Sequence, residues 1–157
     1  MAGVSEDAAG EVRHRRAARV LVINTAGRLL LLHGFDPARP DEPYWLTVGG
    51  GVAPGETSAQ AAARELGEES GIMADPAELG EPVWHEVSEF SFDRQSYRQP
   101  QDFFLLRVDS PAISFDGLEE EEVSIVDGYR WWSAAELDET DETFYPVQLP
   151  DLIRSLS

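Results

Sequence analysis

Apolar residues fall in short dense runs along this chain, and the period of the runs changes from segment to segment. Within Arg16 to Asn24 the continuous run Val20-Leu21-Val22-Ile23 predicts a buried strand. Thr25-Ala26-Gly27 predicts a turn and Arg28 to His33 a second strand, so the pair forms a hairpin. Phe35 to Pro43 carries three prolines and reads as a loop. Tyr44 to Val48 is a short strand that stops at Gly49-Gly50-Gly51.

The period then becomes helical. Thr57, with Gln60 three residues on, has the capping-box spacing. Ala59, Ala62, Ala63 and Leu66 recur at helical intervals and mark the expected buried face. Gly71 suits a left-handed C-terminal cap. Glu81 to Phe92 and Gln101 to Val108 read as antiparallel strands joined by a polar turn, Asp93 to Pro100. Pro111 to Gly128 is a loop region with an acidic run. Tyr129 to Trp132 is a short strand, Ser133 caps a small helix through Leu137, and Pro146 to Ser157 holds a terminal helix. Strands before, between and after the helices predict an α/β fold, a mixed sheet with helices on both sides.

Composition narrows the class. At 157 residues, 42% of them hydrophobic, the chain can bury one core. Residues 1–12 are polar and aperiodic and read as a tail, leaving 13–157 as a single domain. With no cysteine, thiol chemistry and cysteine-ligated metals are excluded. No apolar run is long enough to span a bilayer, and the N-terminus lacks an apolar signal core, so a cytoplasmic protein is expected. A net charge of −18 argues against nucleic-acid polymers and anionic membranes as partners. Most of the 30 acids serve solubility; the question is which are placed too specifically for that alone.

Glu65, Glu68 and Glu69 stand at i, i+3 and i+4, so three carboxylates share one face of the predicted helix. Like charges at this spacing destabilise an isolated helix. Two readings stand: a solvated acidic face, or a site for a hard divalent cation, magnesium or manganese in its place. Arg64 precedes Glu68 by four residues and can orient a carboxylate. The glycines at 49–51 allow close backbone approach, and Pro54-Gly55 turns Glu56 back toward the helix.

Taken together, Gly50, Glu56, Arg64-Glu65-Leu66, Glu68-Glu69 and Gly71-Ile72 resemble the Nudix box at each defining position. The order of the surrounding elements resembles the same family over most of Arg16 to Leu156. The resemblance implies a Nudix-like α/β/α sandwich and hydrolysis of a diphosphate bond in a nucleoside diphosphate-linked small molecule. It implies metal ligands at Glu65, Glu68 and Glu69 with the Gly50 backbone, Arg64 orienting them, and Glu56 holding a water or bracing the loop. The general base is expected in the acidic run, at Glu122 and then Glu121. The competing expectation is a Nudix-fold nucleotide sensor without hydrolysis, although every box glutamate is present.

Substrate contacts are less specified. Arg16 and Arg19 belong to a basic cluster that either meets substrate phosphates or pairs with the acidic surface. Tyr44 and Trp45 either stack on a base or pack in the core. Arg98, with Gln99 and Asp102, either lines a pocket or lies on the surface. A small diphosphate is the expected partner, and a homodimer is left open.

Overall fold

The structure is a computed structural model that describes residues 11–109, 111–118 and 125–156. Glu121 and Glu122 lie outside the described residues. Among the described residues eight strands join one mixed sheet: β1 (Val12–His14), β2 (Ala17–Ile23), β3 (Leu29–Asp36), β4 (Arg39–Gly51), β5 (Trp84–Phe92), β6 (Gln95–Arg107), β7 (Val126–Trp132) and β8 (Phe144–Tyr145). Four helices of the described residues accompany them: α1 (Ser58–Ser70), α2 (Pro76–Leu79), α3 (Ala134–Glu139) and α4 (Leu149–Leu156).

β2 explains the layering. All seven of its residues are buried, as expected for a strand covered on both faces. Ala18, Val20 and Val22 point to one side and pack with Leu30, Leu32 and Phe104 against Ala61, Ala62 and Leu66 of α1. Leu21 and Ile23 point to the other side and pack with Leu29, Leu31, Phe103 and Trp132 against Leu137 of α3 and Leu149 and Ile153 of α4. The mixed sheet flanked by helices is therefore a consequence of period-two alternation in strands that are apolar on both faces.

β4 changes partners along its length. Residues 39–47 pair antiparallel with β3, whereas residues 48–51 pair antiparallel with β2, and β2 runs parallel to β6. The three glycines thus end the strand beside Ala17, Ala18 and Arg19.

Several elements differ from expectation. The segment from Phe35 to Pro43 is a hairpin rather than a loop, with β3 reaching Asp36 and β4 starting at Arg39. Pro40 and Pro43 fit because the pairing is irregular there and resumes at Tyr44. The long turn expected over Asp93 to Pro100 is only Asp93-Arg94, both at positive φ (49° and 69°), so β6 begins at Gln95. Two residues of that hand suit the twist of a hairpin. Polar residues masked the strand, because its outer face is wet. Val12, assigned to the tail, begins β1 and pairs parallel with β6. The short helix α2, capped at Asp75 with Glu78, had no expectation at all. Among the described residues no helix is long and apolar enough to cross a membrane.

Candidate active site

α1 starts and stops where its caps dictate. Thr57 and Gln60 form the reciprocal capping box, and Gly71 ends the helix at φ 79°. The buried stripe is Ala61, Ala62, Glu65, Leu66, Glu69 and Ser70, with Ala59 and Ala63 at its margins. Two glutamates therefore lie in the buried stripe, at 8% exposure each, rather than on a solvated face. A buried carboxylate needs partners or a counter-charge, and the neighbouring residues supply both.

Glu69 Oε1 accepts the Gly49 N–H at 2.7 Å. The Glu65 carboxylate lies against Gly50, where an added Cβ would stand 2.5 Å from Oε2. A side chain at 50 would push that carboxylate out of this position. Gly49 is tighter still, with φ 144° and an imagined Cβ 2.3 Å from the Ala18 carbonyl oxygen. The glycine strand end and the glutamate face are thus one packed unit.

Arg64 ties the rest together. Its Nε and Nη2 donate to the two oxygens of Glu56 at 2.8 and 3.0 Å, a bidentate pair. Nη2 also donates to the Gly51 carbonyl at 3.0 Å. Nη1 donates to Glu65 at 2.8 Å and Glu68 at 3.3 Å. Arg64 and the Ala53 N–H hold the Glu56 carboxyl down at about 2, against an ordinary 4.5. In return the hydrogen bonds to Glu56 raise Arg64 above its usual value. Among the described residues no three His, Cys, Asp or Glu side chains converge on one point. The Arg64 guanidinium stands between Glu65 and Glu68.

A cavity of about 940 Å³ opens beside this unit. Glu65, Glu69 and the three glycines line it, as do the tips of the β3–β4 and β5–β6 hairpins. Tyr44 and Arg19 line it; Arg16, Trp45 and Arg98 do not. Arg16 is exposed and donates to Ser58 at 3.2 Å. Trp45 packs on Trp132 and His33 and donates to Glu142. Arg98 is 4.0 Å from Glu89 at the surface. Asp102, an open assignment in the sequence, accepts from Ser58 at 2.8 Å and so anchors the start of α1.

Arg19 is only 7% exposed. It donates to Gln101 Oε1 at 3.2 Å and to the carbonyls of Thr47 and Gly49 at 3.2 and 3.1 Å. Burial pushes it below its ordinary value, while the charges of Glu69 and Glu65 pull it up. Gln99 is 1% exposed and not on the surface; it donates to Gln101 and accepts from Arg15. Sequence reasoning missed this buried glutamine pair, whose only signal was the alternation Tyr97, Gln99, Gln101 in a polar segment.

A mixed sheet between helix layers thus carries a glutamate helix packed on a glycine strand end, an α/β architecture with its carboxylates gathered beside one cavity. The NUDIX domain model matches residues 13–152, and the chain belongs to the Nudix family. The chain is 36% identical over 69 residues to an RNA pyrophosphohydrolase of Erythrobacter litoralis, a match spanning 44% of this chain and 41% of that protein. It is 29% identical over 125 residues to a Bacillus subtilis protein provisionally named 8-oxo-dGTP diphosphatase, covering 79% of this chain and 70% of that one. The crystal structure of a MutT protein from Methanosarcina mazei Go1 superposes with a TM-score of 0.62 at 21% identity, over 92% of this chain and 94% of that chain.

Proposed function

We propose that this protein hydrolyses the diphosphate bond of a nucleotide-linked small molecule in the cytoplasm, with magnesium or manganese held by Glu65, Glu68, Glu69 and the Gly50 backbone. The observation that carries the reading is the packing of Glu69 and Glu65 on Gly49 and Gly50 in the lining of the cavity. The donor set is entirely oxygen, which fits a hard divalent cation. Such a cation, when bound, neutralises phosphate charge and lowers the pKa of water.

The chain's own residues do the rest. Arg64 fixes the rotamers of Glu65 and Glu68, and Glu56 fixes Arg64. Tyr44 and Arg19 face the cavity that receives the substrate. The base is assigned to Glu122, then Glu121. Supporting this, the chain entering the acidic run docks on α1: the Ser114 N–H donates to the Ser70 carbonyl at 2.8 Å, and Gly117 abuts the Glu68 backbone.

The test is a substrate panel with Mg²⁺: nucleoside triphosphates, nucleotide sugars, ADP-ribose, dinucleotides and a 5′-triphosphorylated RNA oligonucleotide. Released phosphate and pyrophosphate are measured for the wild type and Glu69→Gln. Turnover of small substrates, lost in chelator and reduced at least a hundredfold by Glu69→Gln, is expected. Turnover of the RNA alone would overturn the small-molecule reading, and turnover indifferent to Glu69→Gln would sink the metal assignment. Light scattering on the same samples distinguishes monomer from homodimer.

A further inference from the structure

Arg19 is a cation buried beside the glutamate unit, and its hydrogen bonds go to neutral oxygens. Burying a guanidinium is costly unless its fork is well used. The fork is used on backbone. Arg19 stands opposite Gly49 in the β2–β4 ladder, and its side chain folds back over that residue. An added Cβ on Gly49 would stand 2.8 Å from Arg19 Cδ and 2.7 Å from Arg19 Cα. Gly49 is therefore held on both polar groups, its carbonyl by Arg19 Nη1 at 3.1 Å and its N–H by Glu69 at 2.7 Å.

The far side of Arg19 is held as well. Gln101 Oε1 accepts from Arg19 Nε and from Gln99, and its amide nitrogen donates to Glu86 at 2.6 Å. The bonds to Gln99 and Glu86 orient the Gln101 amide, so its oxygen faces Arg19. A continuous path runs from Glu86 through Gln101 and Arg19 to the Gly49 peptide and Glu69.

We propose that Arg19 is a positioning residue: it fixes the Gly49 segment and, through it, the Glu69 carboxylate, so that it sets the cation affinity of the glutamate helix. This rests on the reading of Glu69 as a cation ligand. It differs from a direct grip on substrate phosphates, which a cavity-lining arginine would otherwise suggest. A lysine keeps the charge but offers a single nitrogen in place of the separate Nε and Nη1 donors that Arg19 uses on Gln101 and Gly49.

The experiment titrates Mn²⁺ alone, without nucleotide, and reads free Mn²⁺ by electron paramagnetic resonance. The proteins are wild type, Arg19→Lys, Gln101→Leu, Glu69→Gln and Ile153→Val. ADP affinity at saturating Mn²⁺ is measured alongside by calorimetry. Arg19→Lys and Gln101→Leu are each expected to weaken Mn²⁺ binding about tenfold, the usual scale for residues that orient ligands. ADP affinity at saturating Mn²⁺ should change less than about threefold, because the binding contacts themselves persist. Ile153→Val, which trims the core under α4, should leave Mn²⁺ affinity unchanged and so controls for general destabilisation. Should Arg19→Lys fail to fold, Gln101→Leu carries the test. Wild-type Mn²⁺ affinity in the Arg19 and Gln101 variants that fold, with Glu69→Gln impaired, overturns the positioning role. Wild-type affinity in Glu69→Gln overturns the ligand reading instead.

Discussion

Glu56 shows how a single ion pair ties loop to helix. Its carboxyl is held at about 2 by Arg64 and the Ala53 N–H, below an ordinary 4.5. A folded value below the unfolded one means that its contribution to stability is full above about 4.5 and fades as pH falls toward 2. Glu56→Gln is therefore expected to lower stability at pH 7 by on the order of 1 to 2 kcal/mol, allowing for partial exposure. The gap between the two proteins should narrow steadily below about pH 4.5 and close only below about pH 2, measured by urea unfolding in chelator. Thr47 behaves oppositely. Its hydroxyl is buried with no hydrogen-bond partner among the described residues. Thr47→Val removes that desolvation penalty at nearly constant volume, so a gain of about 1 kcal/mol is expected at the urea midpoint. A loss would show that the hydroxyl has a partner in solution.

At the scale of elements, α1 and the glycine end of β4 act as one piece. Gly50→Ala places a methyl carbon where the Glu65 carboxylate lies. The carboxylate can swing away, so the fold should survive, with a melting temperature within a few degrees of wild type. If Glu65 holds the cation as proposed, displacing its carboxylate should cost roughly a hundredfold in kcat, the scale of an ångström-sized misplacement. An alanine variant with wild-type kcat would show that Glu65 is not needed in this position. The glutamate helix was legible because its caps, glycines and carboxylates lie within 23 residues, where helical period fixes their relation. Arg64's pairing with Glu56 was not, since it depends on how the Ala53–Glu56 turn folds back. The strands were legible where both faces are apolar, as in β2. They were missed where one face is wet, as in the first half of β6, and where prolines sit in an irregular pairing, as in β4. The buried Gln99 and Gln101 escaped because burial there comes from strands distant in sequence: β1 and β2 against β6.

At the scale of the molecule, the two hairpins whose tips line the cavity are tied together, and the tie centres on Asp36. Its side chain is 4% exposed and pairs with Arg39. Oδ1 accepts the N–H of Ala38 at 2.9 Å within its own hairpin and the N–H of Asp93 at 2.8 Å across to the other. Arg39 in turn donates to the Ser91 carbonyl at 3.0 Å. Burial alone would push the Asp36 carboxyl up, but the Ala38 and Asp93 N–H groups and Arg39 outweigh it and hold it below its ordinary 3.8. The stabilisation is thus complete above about pH 4 and lost as pH falls through the lower folded value. Asp36→Ala should destabilise the protein by about 2 to 3 kcal/mol at pH 7, the scale of charge-assisted hydrogen bonds, and by less at pH 3. The Asp93 amide should exchange with solvent faster in the variant, because its acceptor is gone. These hairpin tips line the cavity on elements other than the glutamate helix. On the proposed reading of this cavity as the substrate site, loosening them acts on how substrate is held, so KM should rise several-fold with kcat nearly unchanged. A fall in kcat with KM unchanged would show instead that the hairpin tie reaches the glutamate unit.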